Sequence, residues 1–219
     1  MSSKYRRRPR KKKRNKKLII LAVVLLAVVI TVIVGYHLVS NSNAHETIPN
    51  DETTLMTVLL ETSMGNITIQ LRNDMPITTE NFKNLVQQGV YDNTTFHRVI
   101  ADFMIQGGDP STGNWSGGTI PYIQDELSTD EENRKNLRGT VSMAKVGDPT
   151  TGRAEPNSGS SQFFINVVDN SNDIFDEDYP VFGDVIDGMN VVDAISNVPT
   201  DSNDKPIDDV ILIWATLID

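Results

Sequence analysis

Residues 91–109 read YDNTTFHRVIADFMIQGGD: two short β-prone runs, 95–100 and 103–106, with Asp102 between them and a Gly pair after them. Runs this short, punctuated by Asp and Gly, read as strands of a mainly β fold. Upstream, 55–61 is apolar and β-prone, 63–66 turns around Gly65, and Ile67, Ile69 and Leu71 alternate with Thr68 and Gln70, which predicts an antiparallel hairpin. Between hairpin and quoted stretch the period changes. Pro76 sits near a first turn, Phe82, Leu85 and Val86 recur at helical spacing, and Gly89 is a stop, which predicts one helix. Downstream come β-prone runs at 139–144, 162–168, 181–185 and 210–217, and a second short helix over 189–195. Many strands and two helices predict a closed or nearly closed barrel. Residues 54–219, about 166 in all, suffice for one domain with a sizeable core.

Ahead of that domain the chemistry is different. Residues 4–17 hold eleven Lys and Arg and no acid, leaving 9 bases against 29 acids, a charge of −20, after Lys17. Residues 18–39 (LIILAVVLLAVVITVIVGYHLV) contain no acid, Lys or Arg, and as a helix would span about 33 Å, enough to cross a hydrocarbon core of roughly 30 Å. The run is longer than a signal-peptide core and no small-x-small cleavage site follows it closely, so it reads as an uncleaved transmembrane helix. No Lys or Arg occurs between Lys17 and Arg72, so the positive-inside bias predicts a cytoplasmic N-terminus and an extracytoplasmic C-terminal domain. The basic run lacks interleaved aromatics and abuts the span, which favours anionic lipid over nucleic acid. Residues 40–53 (SNSNAHETIPNDET) read as a flexible tether.

Composition also excludes. With no Cys the chain has no disulfide, thiolate metal site or thiol nucleophile. His97 is the sole His of residues 54–219, so it reads as structural, and no metal site is expected. The acids at 125–126 and 176–178 read as solvated surface. The stretch from Asp169 resembles the front of a calcium loop, but Ile174 and Pro180 stand where such a loop needs Gly and Glu.

Taken with SSQFFI at 160–165, PVFGDV at 180–185, ENFKNL at 80–85, RGTVSMA at 138–144 and GMNVVDAI at 188–195, the quoted stretch resembles the cyclophilins, a family of peptidyl-prolyl cis-trans isomerases, over essentially all of 55–219. The resemblance implies an eight-stranded antiparallel barrel closed by two helices, and no cofactor. It implies Arg98 at the centre of the site, with Phe103, Met104 and Gln106 beside it, and Gln162 and Phe164 from SQFF. Phe175, where the family usually has Leu, and Tyr179, where many members have His, would complete it, with Ala144 and Lys145 as binding residues. Phe163 and Phe164 are adjacent, so on a strand only one of them can face the site. The resemblance selects Phe164.

That residue set suits the chemistry. Rotation about an X-Pro bond is slow because amide resonance must be broken, and twisting localises a lone pair on the prolyl nitrogen. A fixed cationic donor aimed at that nitrogen stabilises the twisted state more than either planar one, and an apolar socket strengthens its effect. Three departures from the family bear on substrate range and drug binding. Residues 146–160 form a longer segment than in compact cytosolic members, Lys145 stands where many have Asn, and Ile174 lies where cyclosporin-sensitive members carry Trp, which predicts weak cyclosporin binding. The sequence thus points to a monomeric isomerase domain, anchored through 18–39, acting on proline-containing exported polypeptides. A proline-binding chaperone or interaction module with little turnover is the alternative; a membrane-anchored adhesin would have no proline pocket.

Overall fold

The computed structural model describes residues 55–218; the anchor read at 18–39 and the tether at 40–53 lie outside the described residues. Strands β1 (Thr57–Thr62) and β2 (Gly65–Leu71) form the expected hairpin. Thr62 builds the turn: its Oγ1 donates to Gly65 O at 2.7 Å and accepts from Met64 N at 3.1 Å. Helix α1 (Pro76–Gln87) starts with Pro in its first turn and turns Thr78, Thr79, Phe82, Leu85 and Val86 inward. Strands β3 (Thr94–Thr95), β4 (Arg98–Ile100), β5 (Met104–Gly107), β6 (Thr140–Met143) and β7 (Phe163–Asn166) follow. Helix α2 (Asp173–Asp178), strand β8 (Val181–Asp187), helix α3 (Met189–Ser196) and strand β9 (Ile211–Ile218) complete the chain.

All nine strands belong to one antiparallel sheet, in the order β3-β9-β1-β2-β8-β6-β7-β5-β4. The expectation of eight strands fails at one place. The run at 95–100 is two strands, because Phe96 and His97 carry the chain from one end of the sheet to the other. β3 pairs with β9 while β4 pairs with β5, so the sheet curls until its two ends are joined covalently. Two bonds staple this seam: Phe96 N donates to Val210 O at 2.9 Å, and Val99 N to Asp204 O at 2.8 Å. The expectation of two helices also falls short, since α2 makes a third.

α1 packs on β8 and β9, and α3 on β2, β4 and β5. Phe82 of α1 anchors the core, with ring centroids 5.0 Å from Tyr91, 5.4 Å from Phe163 and 5.1 Å from Phe182. Tyr91 is fully buried and its hydroxyl donates to Ser161 O at 3.0 Å, so the one polar atom on this ring is satisfied.

The Gly pair ahead of Asp109 has a steric cause. Gly108 sits at φ +82, and a Cβ there would lie 2.7 Å from Ser161 O and 2.9 Å from Phe163 Cδ1. Gly108→Ala should therefore cost about 2–4 kcal/mol in urea unfolding, from backbone strain plus overpacking. The seam makes a second prediction. His97 is largely withdrawn from solvent, its Nδ1 has no partner among the described residues, and burial holds its pKa below the usual imidazole value against the pull of Asp109. The folded state thus prefers neutral His97, and this contribution is complete above about pH 6.5 and lost as pH falls through the lower folded value. The unfolding midpoint should drop between about pH 7 and 5, and His97→Gln should flatten that limb.

Candidate active site

The site is laid out by strand register. Across β4, β5, β7 and β6 one row of directly opposed residues runs Arg98, Gln106, Phe164, Ser142. Residues opposed in a ladder share a face, so the row brings a cation, an amide and an aromatic ring onto one surface from segments far apart in sequence. The next row places Met104 between Ile100 and Asn166 on that same surface. The alternate residues Val99, Ile105 and Phe163 enter the core and are almost wholly buried.

Helix α2 supplies the opposing wall. Asn172 caps it, Oδ1 accepting from Phe175 N at 3.0 Å, and Phe175 on the helix and Tyr179 just past its end both border the cavity. The Phe175 ring lies 5.8 Å from Phe103, 5.8 Å from Phe164 and 4.6 Å from Tyr179, and Tyr179 meets Phe164 edge-on at 5.6 Å. Ala144 and Lys145, just after β6, close the remaining side, with Ala144 N bonded to Gln162 O at 3.0 Å. Together Arg98, Phe103, Met104, Gln106, Ala144, Lys145, Phe164, Phe175 and Tyr179 bound a cavity of about 290 Å³. Nine of the ten expected site residues therefore meet at one place. Gln162 stands behind it: Gln106 Nε2 donates to Gln162 Oε1 at 2.8 Å, and Gln162 Nε2 to Asp109 Oδ2 at 3.2 Å.

Three details differ from what residue types alone suggest. Lys145 offers no free cation: its side chain is 4 % exposed and its Nζ pairs with Asp125 Oδ2 at 2.6 Å. Gln106 is committed to Gln162, and Arg98 instead meets Asp204, Nε to Oδ2 3.5 Å. Nor are the acids at 125–126 and 176–178 mere solvated surface. Glu126 Oε1 accepts from Thr78 N at the start of α1, and Asp178 is buried against Arg153, whose guanidinium holds its carboxyl below the usual range, with Ala154 N adding a bond at 2.9 Å. The long segment 146–160 is thereby fastened to α2, beside the cavity.

Beneath the wall lies a buried amide network missed by sequence reading. Asn136 donates through Nδ2 to Asp176 Oδ1 and Tyr179 O at 3.1 and 3.2 Å, and its Oδ1 accepts from Ser142 Oγ at 2.6 Å and Asn166 Nδ2 at 3.2 Å. Asn170 Nδ2 reaches Asn166 Oδ1 at 2.7 Å and Phe103 O at 2.9 Å. The backbone of both Phe103 and Tyr179 is thus tied to one satisfied polar cluster. The only sequence signal was Asn and Ser at strand positions otherwise filled by apolar residues.

Chemically the cavity offers no aligned nucleophile and base, and His97 does not line it. It offers an apolar slot edged by a guanidinium. Known proteins resemble the chain in sequence and in fold. The sequence profile described as "Cyclophilin type peptidyl-prolyl cis-trans isomerase/CLD" matches residues 57–216. A peptidyl-prolyl cis-trans isomerase of Acinetobacter baylyi is 44 % identical over 147 residues, covering 65 % of this chain and 73 % of that one. Peptidyl-prolyl cis-trans isomerase A of Dickeya dadantii is 42 % identical over 154 residues, 68 % of this chain and 76 % of that one. Among solved structures, a Cryptosporidium parvum cyclophilin-type isomerase superposes with a TM-score of 0.64 at 32 % identity, covering 75 % of this chain and 98 % of its own; the same protein, solved in the presence of the dipeptide Ala-Pro, gives 0.63. With the family match, the relatives and the fold in agreement, the chain belongs to the cyclophilin-type peptidyl-prolyl cis-trans isomerases.

Proposed function

We propose that this isomerase acts on X-Pro bonds of exported polypeptides at the outer face of a membrane, with Arg98 stabilising the twisted prolyl amide. The observation that carries the chemical part is the adjacency of Arg98 to an apolar slot made by Phe103, Met104, Phe164 and Phe175. A pyrrolidine ring fits such a slot, and excluding water around it raises the worth of a charge at its rim. As the C–N bond rotates, the nitrogen pyramidalises and gains a lone pair, which accepts from the guanidinium only in the twisted state. That is differential stabilisation, and no proton transfer is required. A rate gain of about 10⁵ corresponds to roughly 7 kcal/mol, of which one such donor supplies about 3–4. Gln106, held by Gln162, is the partner for the substrate backbone, and Ala144 and Lys145 present backbone groups beside it.

The placement at a membrane is supported by sequence: eleven basic residues, then 22 residues free of Lys, Arg and acid, then a polar tether. A tether of about 14 residues gives an r.m.s. reach of roughly 20 Å, which keeps the domain beside its point of anchorage. Proline-containing polypeptides emerging there are the proposed clients. The departure at Ile174, exposed on α2, supports weak cyclosporin binding.

Arg98→Ala should lower kcat/KM on an Xaa-Pro peptide about 100-fold or more in a protease-free assay, leaving the fold intact by circular dichroism. Peptide binding without turnover by the wild-type chain would instead favour a binding module. Burial keeps His97 low and, with Asp178, holds the Tyr179 phenol above its usual value, so neither changes charge in the working range. The rate should be flat from about pH 7 to 9, and a bell-shaped profile would count against the mechanism. For the topology, protease added to intact cells should digest residues 55–218 and spare a fragment containing 1–39; a fully protected chain would overturn the proposed orientation.

A further inference from the structure

Arg98 has one counter-charge, supplied from the far end of the chain. Asp204 Oδ2 lies 3.5 Å from Arg98 Nε, with the two side chains 44 and 43 % exposed. Among the described residues no other side chain pairs with this guanidinium. Gln106, opposite Arg98 in the ladder, is engaged by Gln162.

The backbone that carries this side chain is fixed by hydrogen bonds. The Asp204 carbonyl accepts from Val99 N, the residue next to Arg98, at 2.8 Å, and its own N–H donates to Asp201 O at 3.2 Å. It sits at φ +62, in the left-handed region. The turn around it is closed by the Asp201 carboxylate, which accepts from Asn203 N at 2.8 Å and Lys205 N at 3.0 Å, and by Asp201 N donating to Lys205 O at 2.8 Å. The neighbouring cation, Lys205, is turned to Asp209 at 3.6 Å and does not compete. A carboxylate set by a closed turn beside the reacting cation is an arrangement that stability does not call for: an ion pair this exposed contributes little to folding.

We propose that Asp204 is a positioning residue for the isomerisation, gripping the guanidinium by its Nε edge so that its terminal nitrogens face the slot before substrate arrives. The inference rests on the role given above to Arg98. An arginine side chain has many rotamers, and a donor that must be ordered in the transition state loses part of its effect to that ordering. A carboxylate beside Nε narrows that freedom while leaving the other edge of the fork unoccupied.

The test measures kcat and KM of the full chain, in mild detergent, on an Xaa-Pro peptide. Asp204→Gly removes the carboxylate yet suits φ +62, and Asp204→Asn keeps an acceptor and also tolerates that backbone. Asp204→Gly should lower kcat about five- to tenfold with KM within about twofold, and Asp204→Asn should keep at least about half of kcat. In an Arg98→Lys background, which lacks the Nε–H, Asp204→Gly should change kcat by less than about twofold. A wild-type or raised kcat for Asp204→Gly, or an equal loss in the Arg98→Lys background, overturns the proposal. Should Arg98→Ala keep full activity, it is the role of Arg98 itself that falls.

Discussion

The site depends on one ladder register. Arg98, Gln106, Phe164 and Ser142 stand in a single row across four strands, and everything chemical follows from that alignment. Side chains alternate along a strand, so a slip of one residue anywhere in β5 or β7 would send Gln106 or Phe164 into the core and bring Ile105 or Phe163 to the surface. The core resists such a slip. Phe163 is locked among Phe82, Tyr91 and Phe96, and Gly107 and Gly108 admit close packing that no side chain would allow.

Around that row the molecule uses polar bonds where a simpler barrel would use apolar packing. The amides of Asn136, Asn166 and Asn170 fix the backbone at Phe103 and Tyr179, two opposite limits of the slot. Because each buried amide finds its partners, the network sets geometry instead of costing stability. The Arg153–Asp178 pair extends this bracing outward, so the segment 146–160 acts as a strut against α2. Slot shape is therefore shared between core and surface.

Much of this was legible in the sequence. The hairpin, α1 and α3 follow from turn residues and period, the quoted motifs contain six of the nine residues bounding the cavity, and the resemblance adds Lys145, Phe175 and Tyr179. Three features were not legible. Residues 95–100 contain no Gly or Pro, so nothing local marks the passage from one end of the sheet to the other at Phe96–His97; only tertiary pairing reveals it. α2 is rich in Asp, a poor helix former, and exists through the Asn172 cap and the bonds that Asp176 accepts from Asn136 and Ser171. Asp204 lies more than a hundred residues from Arg98 in a polar turn that reads as ordinary loop. Strand pleat placed Phe163 and Phe164 on opposite faces, but which faced the slot came from resemblance, and the structure puts Phe164 there.

The join between β3 and β4 carries a further consequence for an enzyme that handles exposed backbone. The two terminal strands of the sheet are two and three residues long, so they offer almost no row of unpaired amides to which another extended chain could add. A catalyst that binds proline-containing peptide segments risks becoming a template for their aggregation. At this seam topology reduces that hazard, and the molecule can meet its substrates through a pocket and not through the ends of its sheet.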